Sequence, residues 1–323
     1  MILEILIPQY NETEEVIKPL LDSISMQQNV DFNEIGVIIC NDGSKIRLSQ
    51  DFLNGYDFNI KYIIRKHKGV SATRNACINE AKAEYVMFCD ADDMFYNACG
   101  LWIIFEEIKK GQFDSLTSSF IEETKNPQTQ LPMYINREND VTFVHGKVYR
   151  RKFLLDNDIR WNEKLTIHED SYFNVLCKTL AKEFRYVSSP FYLWKWRDDS
   201  VCRCDEKYML KTYVNMLDSN TELVYELFKR GLIKEASYRV TAMIFETYFT
   251  MQKKEWREKE NRKYRKDTEK RFRIYFRTFK PLYDKISDNE KTSIIASIRN
   301  RMYAEGVILE HITFKQWLKR IRC

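Results

Sequence analysis

The chain has 323 residues, 44% of them hydrophobic, with 8 cysteines, 9 glycines and a formal net charge of +5. This is enough for one large domain plus a smaller one, and so little glycine, against about 7% in an average chain, argues against a turn-rich all-β fold. There is no apolar run of the roughly 18 residues a spanning helix needs, no signal peptide and no paired CxxC spacing, so a cytoplasmic protein with reduced thiols is expected.

Ile2 to Ile7 is an apolar run stopped by Pro8 and followed by Gln9, Tyr10, Asn11 and Glu12. A helical pattern through Val16, Leu20, Leu21 and Ile24 completes a unit of strand, loop and helix. Ile35 to Cys40 reads as a second buried strand, ending in Asn41, Asp42, Gly43 and Ser44. An acid at that end suits a ribose hydroxyl or a base N–H, and it equally suits an Asp-Gly turn. The absence of GxGxxG after the first strand argues against a nicotinamide-type dinucleotide fold. Ile60 to Arg65 reads as a third strand, after which Ser71 is placed to cap a helix that carries Val70, Cys77 and Ala81 inward. Arg74 and Asn75 fall in its first turns, where a guanidinium suits a phosphate, a carboxylate or a local surface pair.

The run YVMFCDADD, from Tyr85 to Asp93, organises the rest. Its apolar part reads as a strand buried on both faces, so Asp90, Asp92 and Asp93 stand at a carboxyl end, where open α/β sheets bind ligands. Crowded carboxylates raise one another's pKa unless a hard cation such as Mg2+ or Mn2+ neutralises them. The alternative is that they cap a helix reading from Met94 to Lys110. Ser115 to Phe120 is the next strand, Glu122 to Leu131 a polar loop, and Val141 to Arg150 a further strand. His168-Glu169-Asp170 opens a helix with an apolar stripe of Phe173, Leu176, Cys177 and Leu180. The spacing puts Asp170 on the buried face, as a candidate base or a partner of the helix dipole. A last β-like run, Phe184 to Trp196, offers Trp194 and Trp196 to a sugar or to packing, and ends in Arg197, within reach of a departing diphosphate. Strands alternating with helices predict βαβ units and a mostly parallel sheet.

From Asp205 the pattern is helical, with stripes of Leu217, Thr221, Val224 and Phe228, then Ala236, Val240, Ile244, Tyr248 and Met251. Ser287 with Glu290 is a capping-box signature ahead of Ile294, Ile298 and Met302. Residues 253–280 hold 13 Lys/Arg against 5 Asp/Glu, so the basic character belongs to this segment, along with Trp256, Phe272, Tyr275, Phe276 and Phe279. It suits a solvated helix face, an anionic membrane, an acidic glycan or a sister subunit. Nucleic acid is not expected, because no recognition motif accompanies the charge.

Taken together and in this order, IPQYNE, NDGS, ATRN, CDADD and HED resemble the family 2 glycosyltransferases, over roughly residues 1–204. The resemblance implies a GT-A-type α/β fold: a mixed, mostly parallel sheet flanked by helices, forming a nucleotide-sugar-binding and catalytic domain at 1–204, with a helical domain at 205–323. It implies that Pro8, Tyr10, Asn11 and Glu12, with Asp42, hold the base and ribose, and that Arg74 lies near the base and phosphates. Asp90 and Asp92 match the DxD pair, the former near the ribose and the latter on Mn2+ or Mg2+, and Asp170 matches the catalytic base. The implied reaction is inverting transfer from a nucleotide-diphosphate sugar, a UDP-sugar foremost, to a hydroxyl of a glycan or lipid-linked acceptor, with Arg197 steadying the diphosphate. No histidine stands out as an extra metal ligand. Two other readings compete: a non-catalytic nucleotide- or glycan-binding module of the same fold, and a metal phosphatase or phosphotransferase with Asp90 as nucleophile. The second is weakened because Asp93 and Met94, not a hydroxyl residue, follow the DxD. A homo-oligomer and peripheral contact with the inner membrane face through 253–280 complete the expected partners.

Overall fold

Alternating apolar runs and amphipathic segments build the first half of the computed structural model, which describes residues 1–198, 200, 205, 207–304 and 313–323. Its elements are β1 (Leu3–Gln9), α1 (Glu14–Ser25), β2 (Ile35–Asn41), α2 (Gln50–Leu53), β3 (Asn59–Ile64), α3 (Val70–Glu80), β4 (Tyr85–Phe88) and β5 (Met94–Phe95). There follow α4 (Gly100–Lys109), β6 (Ser115–Lys125), β7 (Pro132–Arg137), β8 (Lys147–Arg150), α5 (Arg151–Asp156), α6 (Glu169–Leu180) and β9 (Phe184–Trp194). One mixed sheet has the order β3-β2-β1-β4-β8-β6-β9-β5, with β7 paired to β6. Parallel pairing joins the first four strands and joins β6 to β9, whereas β5, β7 and β8 pair antiparallel.

Central strands covered on both faces favour apolar residues, and β1, β2 and β4 supply them except at buried Glu4, which accepts the N–H groups of Lys82 and Ala83, and at Gln9 and Asn41 on the carboxyl ends. On one face Leu3, Ile5, Ile7, Val37 and Ile39 pack against Ile17, Leu20, Leu21 and Ile24 of α1. The alternate residues, such as Leu6, Ile38 and Val86, are buried on the other face, where α3 packs on β1 and β2.

Several expected boundaries move, each for a tertiary reason. The helix expected from Met94 begins at Gly100, because Met94 and Phe95 pair with Leu193 and Tyr192 of β9 and the Phe95 N–H donates to Ser23 Oγ at 3.0 Å. The acids at 90–93 therefore cap no helix. The strand expected at Val141–Arg150 shrinks to β8: Asp140 Oδ1 accepts the N–H groups of Thr142 and Phe143 at 2.8 Å each, which withdraws them from any ladder. Gly146, at φ 64, ends that turn, and a Cβ there would collide with Ser118 Oγ. β6 runs past Phe120 and forms a hairpin with β7, taking in Glu122 to Lys125 of the stretch expected as loop. Ser71 does not cap α3; Gly69, at φ 92, precedes that helix, and Ser71 Oγ donates to Leu165 O at 3.3 Å.

The chain divides into two compact units, Met1–Asp198 and Asp199–Cys323, slightly before the boundary expected at 204. The second holds α7 (Tyr208–Lys229), α8 (Ile233–Thr250), α9 (Lys254–Arg257), α10 (Arg262–Tyr283), α11 (Asp288–Ala304) and α12 (Phe314–Arg320). The α8 stripe is buried as expected, but on α7 Phe228 is exposed, and Leu223 and Leu227 join Leu217 and Val224 instead. Ser287 and Glu290 make the capping box, with N–H donation in both directions at 3.0 and 3.3 Å. Trp256, Phe272, Tyr275, Phe276 and Phe279 of the basic segment are all core. Cys40, Cys77, Cys89 and Cys177 are buried free thiols, while Cys202 and Cys204 lie outside the described residues. Among the described residues no helix is long and apolar enough to cross a membrane.

Candidate active site

The carboxyl ends of β1, β2 and β4 open on one cleft of about 320 Å³, walled by residues of the β1–α1 loop, Asp42, the start of α3, and Asp90 to Asp92. Its first wall is cross-braced. Buried Asn41 donates to Gln9 Oε1 and Tyr62 OH at 2.8 Å each and accepts the Ser44 N–H at 2.8 Å, while the Asn11 N–H donates to Ser44 Oγ at 2.9 Å. Asn11, at φ 68, bends the loop so that Tyr10 stacks on His67, ring centroids 4.5 Å apart. Glu12 Oε2 accepts the Tyr10 N–H at 2.5 Å, and burial pushes the Glu12 carboxyl upward in pKa. Pro8, Tyr10 and Glu12 line the cleft; Asn11 braces it from behind.

Asp42 opens the Asp-Gly turn and also lines the cleft. Gly43 turns at φ 72, and the carboxylate faces the cleft while accepting the N–H groups of Lys68 and Gly69 at 2.9 and 2.8 Å, with His67 Nδ1 2.9 Å away. It thereby fixes the chain where it enters α3.

Arg74, only 3% exposed, is the hub. Its Nη2 donates to Asp90 Oδ1 at 2.8 Å, and its Nη1 to Asp170 Oδ1 at 2.8 Å and Glu169 Oε1 at 3.1 Å, while the guanidinium lies 4.4 Å from the centroid of the Trp161 ring. Burial alone would lower the pKa of this cation, and the three carboxylates raise it instead. Three acids around one cation cannot all ionise cheaply. For Asp90 the pull of Arg74 and His145 outweighs burial and its pKa falls. Asp170 goes the other way: burial, seconded by Glu169 and Asp90, outweighs Arg74 and raises it to about 8. Its other oxygen accepts the Val144 N–H at 3.2 Å, and its side chain is 17% exposed. Arg74 and Asp90 line the cleft, and Asp170 stands one guanidinium away.

Asp92, at the rim, pairs with Arg197 at 3.1 Å; burial and Asp90 raise its pKa against that partner. Asp93 is buried behind it, accepting from Tyr192 OH at 2.5 Å and the Lys195 N–H at 3.0 Å, and burial pushes its pKa well up. A histidine does join this cluster. His145 Nδ1 lies 3.7 Å from Asp93 Oδ2, and donor atoms of Asp90, Asp93 and His145 all fall within 4.8 Å of one another. The His145 ring is stacked between Phe143 and Tyr192 and touches Trp194, so Trp194 belongs to an aromatic cluster, while Trp196 Nε1 donates to Asp198 at 2.9 Å. Glu169 was legible as the neighbour of Asp170 in a first helical turn. Nothing in the sequence singles out His145, which arrives through the turn before β8.

Residues 4–166 match the family described as glycosyl transferase family 2. The uncharacterized glycosyltransferase EpsJ of Bacillus subtilis is 23% identical over 221 residues, covering 62% of this chain and 62% of that protein. The teichoic acid poly(glycerol phosphate) polymerase of Staphylococcus epidermidis is 30% identical over 211 residues, covering 59% of this chain and 28% of that protein. The match thus spans less than two thirds of either relative. Among solved structures, S. aureus TarS 1-349 in complex with UDP-GlcNAc is alike in fold, with a TM-score of 0.64 at 16% identity, covering 95% of this chain and 92% of that one.

Proposed function

The chain belongs to glycosyl transferase family 2, and from that premise we propose that it is a glycosyltransferase that moves a sugar from a UDP-sugar to a hydroxyl of a glycan or lipid-linked acceptor by one inverting displacement. The observation that carries this reading is the gathering of Asp90, Glu169 and Asp170 around Arg74 at the wall of the cleft. The fold likeness to a protein that holds UDP-GlcNAc supports the choice of UDP.

In this reading Met1–Asp198 is the catalytic unit. The nucleoside lies along Pro8 to Glu12 with Tyr10 and Asp42 beside it, and the diphosphate reaches toward Arg74 and the acids after β4. Asp90 and Asp92, 30% and 34% exposed, both face the cleft and offer hard oxygen donors that fit Mg2+ or Mn2+. Asp93, with both oxygens engaged, and His145 brace the turn from behind. Asp92 and Asp90 would hold a divalent cation, which when bound would supply charge neutralisation for the diphosphate. Arg197, now on Asp92, is in reach to exchange that partner for the departing oxygens.

Asp170 takes the proton of the acceptor hydroxyl as that oxygen bonds to the anomeric carbon, and the bond to the diphosphate breaks with its electron pair leaving on the diphosphate. Arg74 holds one oxygen of Asp170 and the Val144 N–H the other, so the carboxylate is fixed in orientation before substrate arrives. Its raised pKa makes it a stronger base, at the cost of a smaller ionised fraction at neutral pH.

Incubation with UDP-sugars and Mn2+ is expected to release UDP slowly by hydrolysis and faster with acceptor, and UDP is expected to raise the melting temperature. No nucleoside diphosphate from any nucleotide sugar, together with no melting shift, would overturn the reading.

A further inference from the structure

Helix α10 has two faces of opposite chemistry. Thr268, Phe272, Tyr275, Phe276, Phe279 and Leu282 are buried. On the opposite side, at helical spacing, Lys263, Lys266, Lys270, Ile274 and Arg277 are all exposed, with one acid, Asp267, exposed among them, so the stripe is net positive. Two other cations of the segment are neutralised, Lys280 by Asp284 at 2.6 Å and Arg271 by Asp218 at 2.8 Å. Among the described residues no acid pairs with Lys263, Lys266 or Lys270. Helix α12 extends the surface: Arg273 Nη1 donates to Ile321 O at 2.9 Å and Arg277 Nη2 to Arg322 O at 3.4 Å, which brings exposed Lys319, Arg320 and Arg322 alongside.

We propose that this face of α10 and α12 docks on an anionic lipid bilayer. Unpaired cations in a row repel one another unless the surface they meet is negative. A soluble polyanion is gripped in a groove or stacked on aromatic rings. Here the cations stand on the outer back of a helix, and the aromatic side chains at 272, 275, 276 and 279 point into the core. Ile274, 51% exposed in the middle of the stripe, is an apolar side chain that the acyl boundary would cover. From Lys263 to Arg277 the stripe runs about 21 Å at 1.5 Å per residue, long enough to meet several headgroups. The contact is peripheral and reversible, and it is independent of the transfer chemistry proposed above.

The test is sedimentation of the full chain with vesicles rich in phosphatidylglycerol, against vesicles of phosphatidylcholine alone. Pelleting is expected with the first only, and it is expected to fade as salt approaches about 1 M, where the screening length falls to about 3 Å. Each cation at an anionic leaflet contributes about fivefold in partitioning, so Lys263→Gln/Lys266→Gln/Lys270→Gln lowers the partition coefficient on the order of 100-fold. The melting temperature of that variant should not change, since the three ammonium groups hold no carboxylate. Lys109→Gln/Lys110→Gln, at the end of α4, should bind as the parent does. Equal pelleting on phosphatidylcholine, or undiminished pelleting of the triple variant, overturns the proposal. So does binding of inorganic polyphosphate that the triple variant loses, if phosphatidylglycerol vesicles pellet nothing.

Discussion

Arg74 serves two elements at once because a guanidinium is a planar fork: one nitrogen faces Asp90 after β4 and the other faces Glu169 and Asp170 at the start of α6. A lysine is a single point charge and cannot do this. Arg74→Gln leaves three carboxylates together without a cation, so we expect a loss of about 3–5 kcal/mol in urea unfolding at pH 8, and a smaller loss at pH 5, where the acids can take up protons. Asp170→Asn should retain UDP binding and lose about 100- to 10,000-fold in turnover, the range for removal of a general base. The raised pKa fixes two signs. A base that is protonated below about 8 makes kcat/KM climb with pH to about 8 and level off above it. Because the folded pKa lies above the unfolded value of about 3.9, this group weakens the fold as pH rises from about 4 to 8. The unfolding free energy of Asp170→Asn should therefore gain on the parent across that window, and a parallel pair of stability curves would contradict the shift. The inward direction of Asp170 was legible from its spacing to Phe173 and Cys177. Its partner was not, because Arg74 lies in another helix, and an ion pair at such separation leaves no periodic trace.

The turn between β7 and β8 links the two halves of the site. Asp140 anchors its start; Asn174 of α6 donates to Thr142 O at 2.7 Å; the Val144 N–H reaches Asp170; His145 stacks beside Asp93. Gly146 permits it, at a φ of 64 and against Ser118. In Gly146→Ala the backbone strain and the collision should cost on the order of 1–3 kcal/mol, read as a lower melting temperature. They should also reduce turnover more than UDP affinity, because the displaced amide orients Asp170 and does not line the cleft. A fall in melting temperature with unaltered turnover would mean the turn is only scaffolding. This is where reading the sequence as strand failed. Of the strand expected at Val141 to Arg150 only Lys147–Arg150 forms; before it, an acid that captures two backbone donors and a glycine with positive φ decide the conformation. β1, β2 and β4 were legible for the opposite reason: strands buried on both faces have no conformational choice left to side-chain hydrogen bonds. The helix expected at Met94 failed through sheet pairing with β9, a partner too distant in sequence to register locally.

At the scale of the molecule, the switch from alternating strands and helices to helices alone marks two units, and each has its own core. Every side chain assigned above to donor and base belongs to Met1–Asp198. Ligand that binds only the folded form stabilises the unit that holds the site, by about 2.7 kcal/mol at a hundredfold excess over Kd. For a unit of this size about 1 kcal/mol moves a transition by about 2–4 °C, so UDP with Mn2+ should raise one calorimetric transition by roughly 5–10 °C and leave a second in place. Asp92→Asn should shrink that rise by weakening the hold on the ion and the diphosphate, whereas Lys263→Gln should not alter it. A single transition that moves as a whole would mean that the helical unit and the donor-binding unit unfold together. In that case the division at Asp198 is one of packing and not of cooperativity.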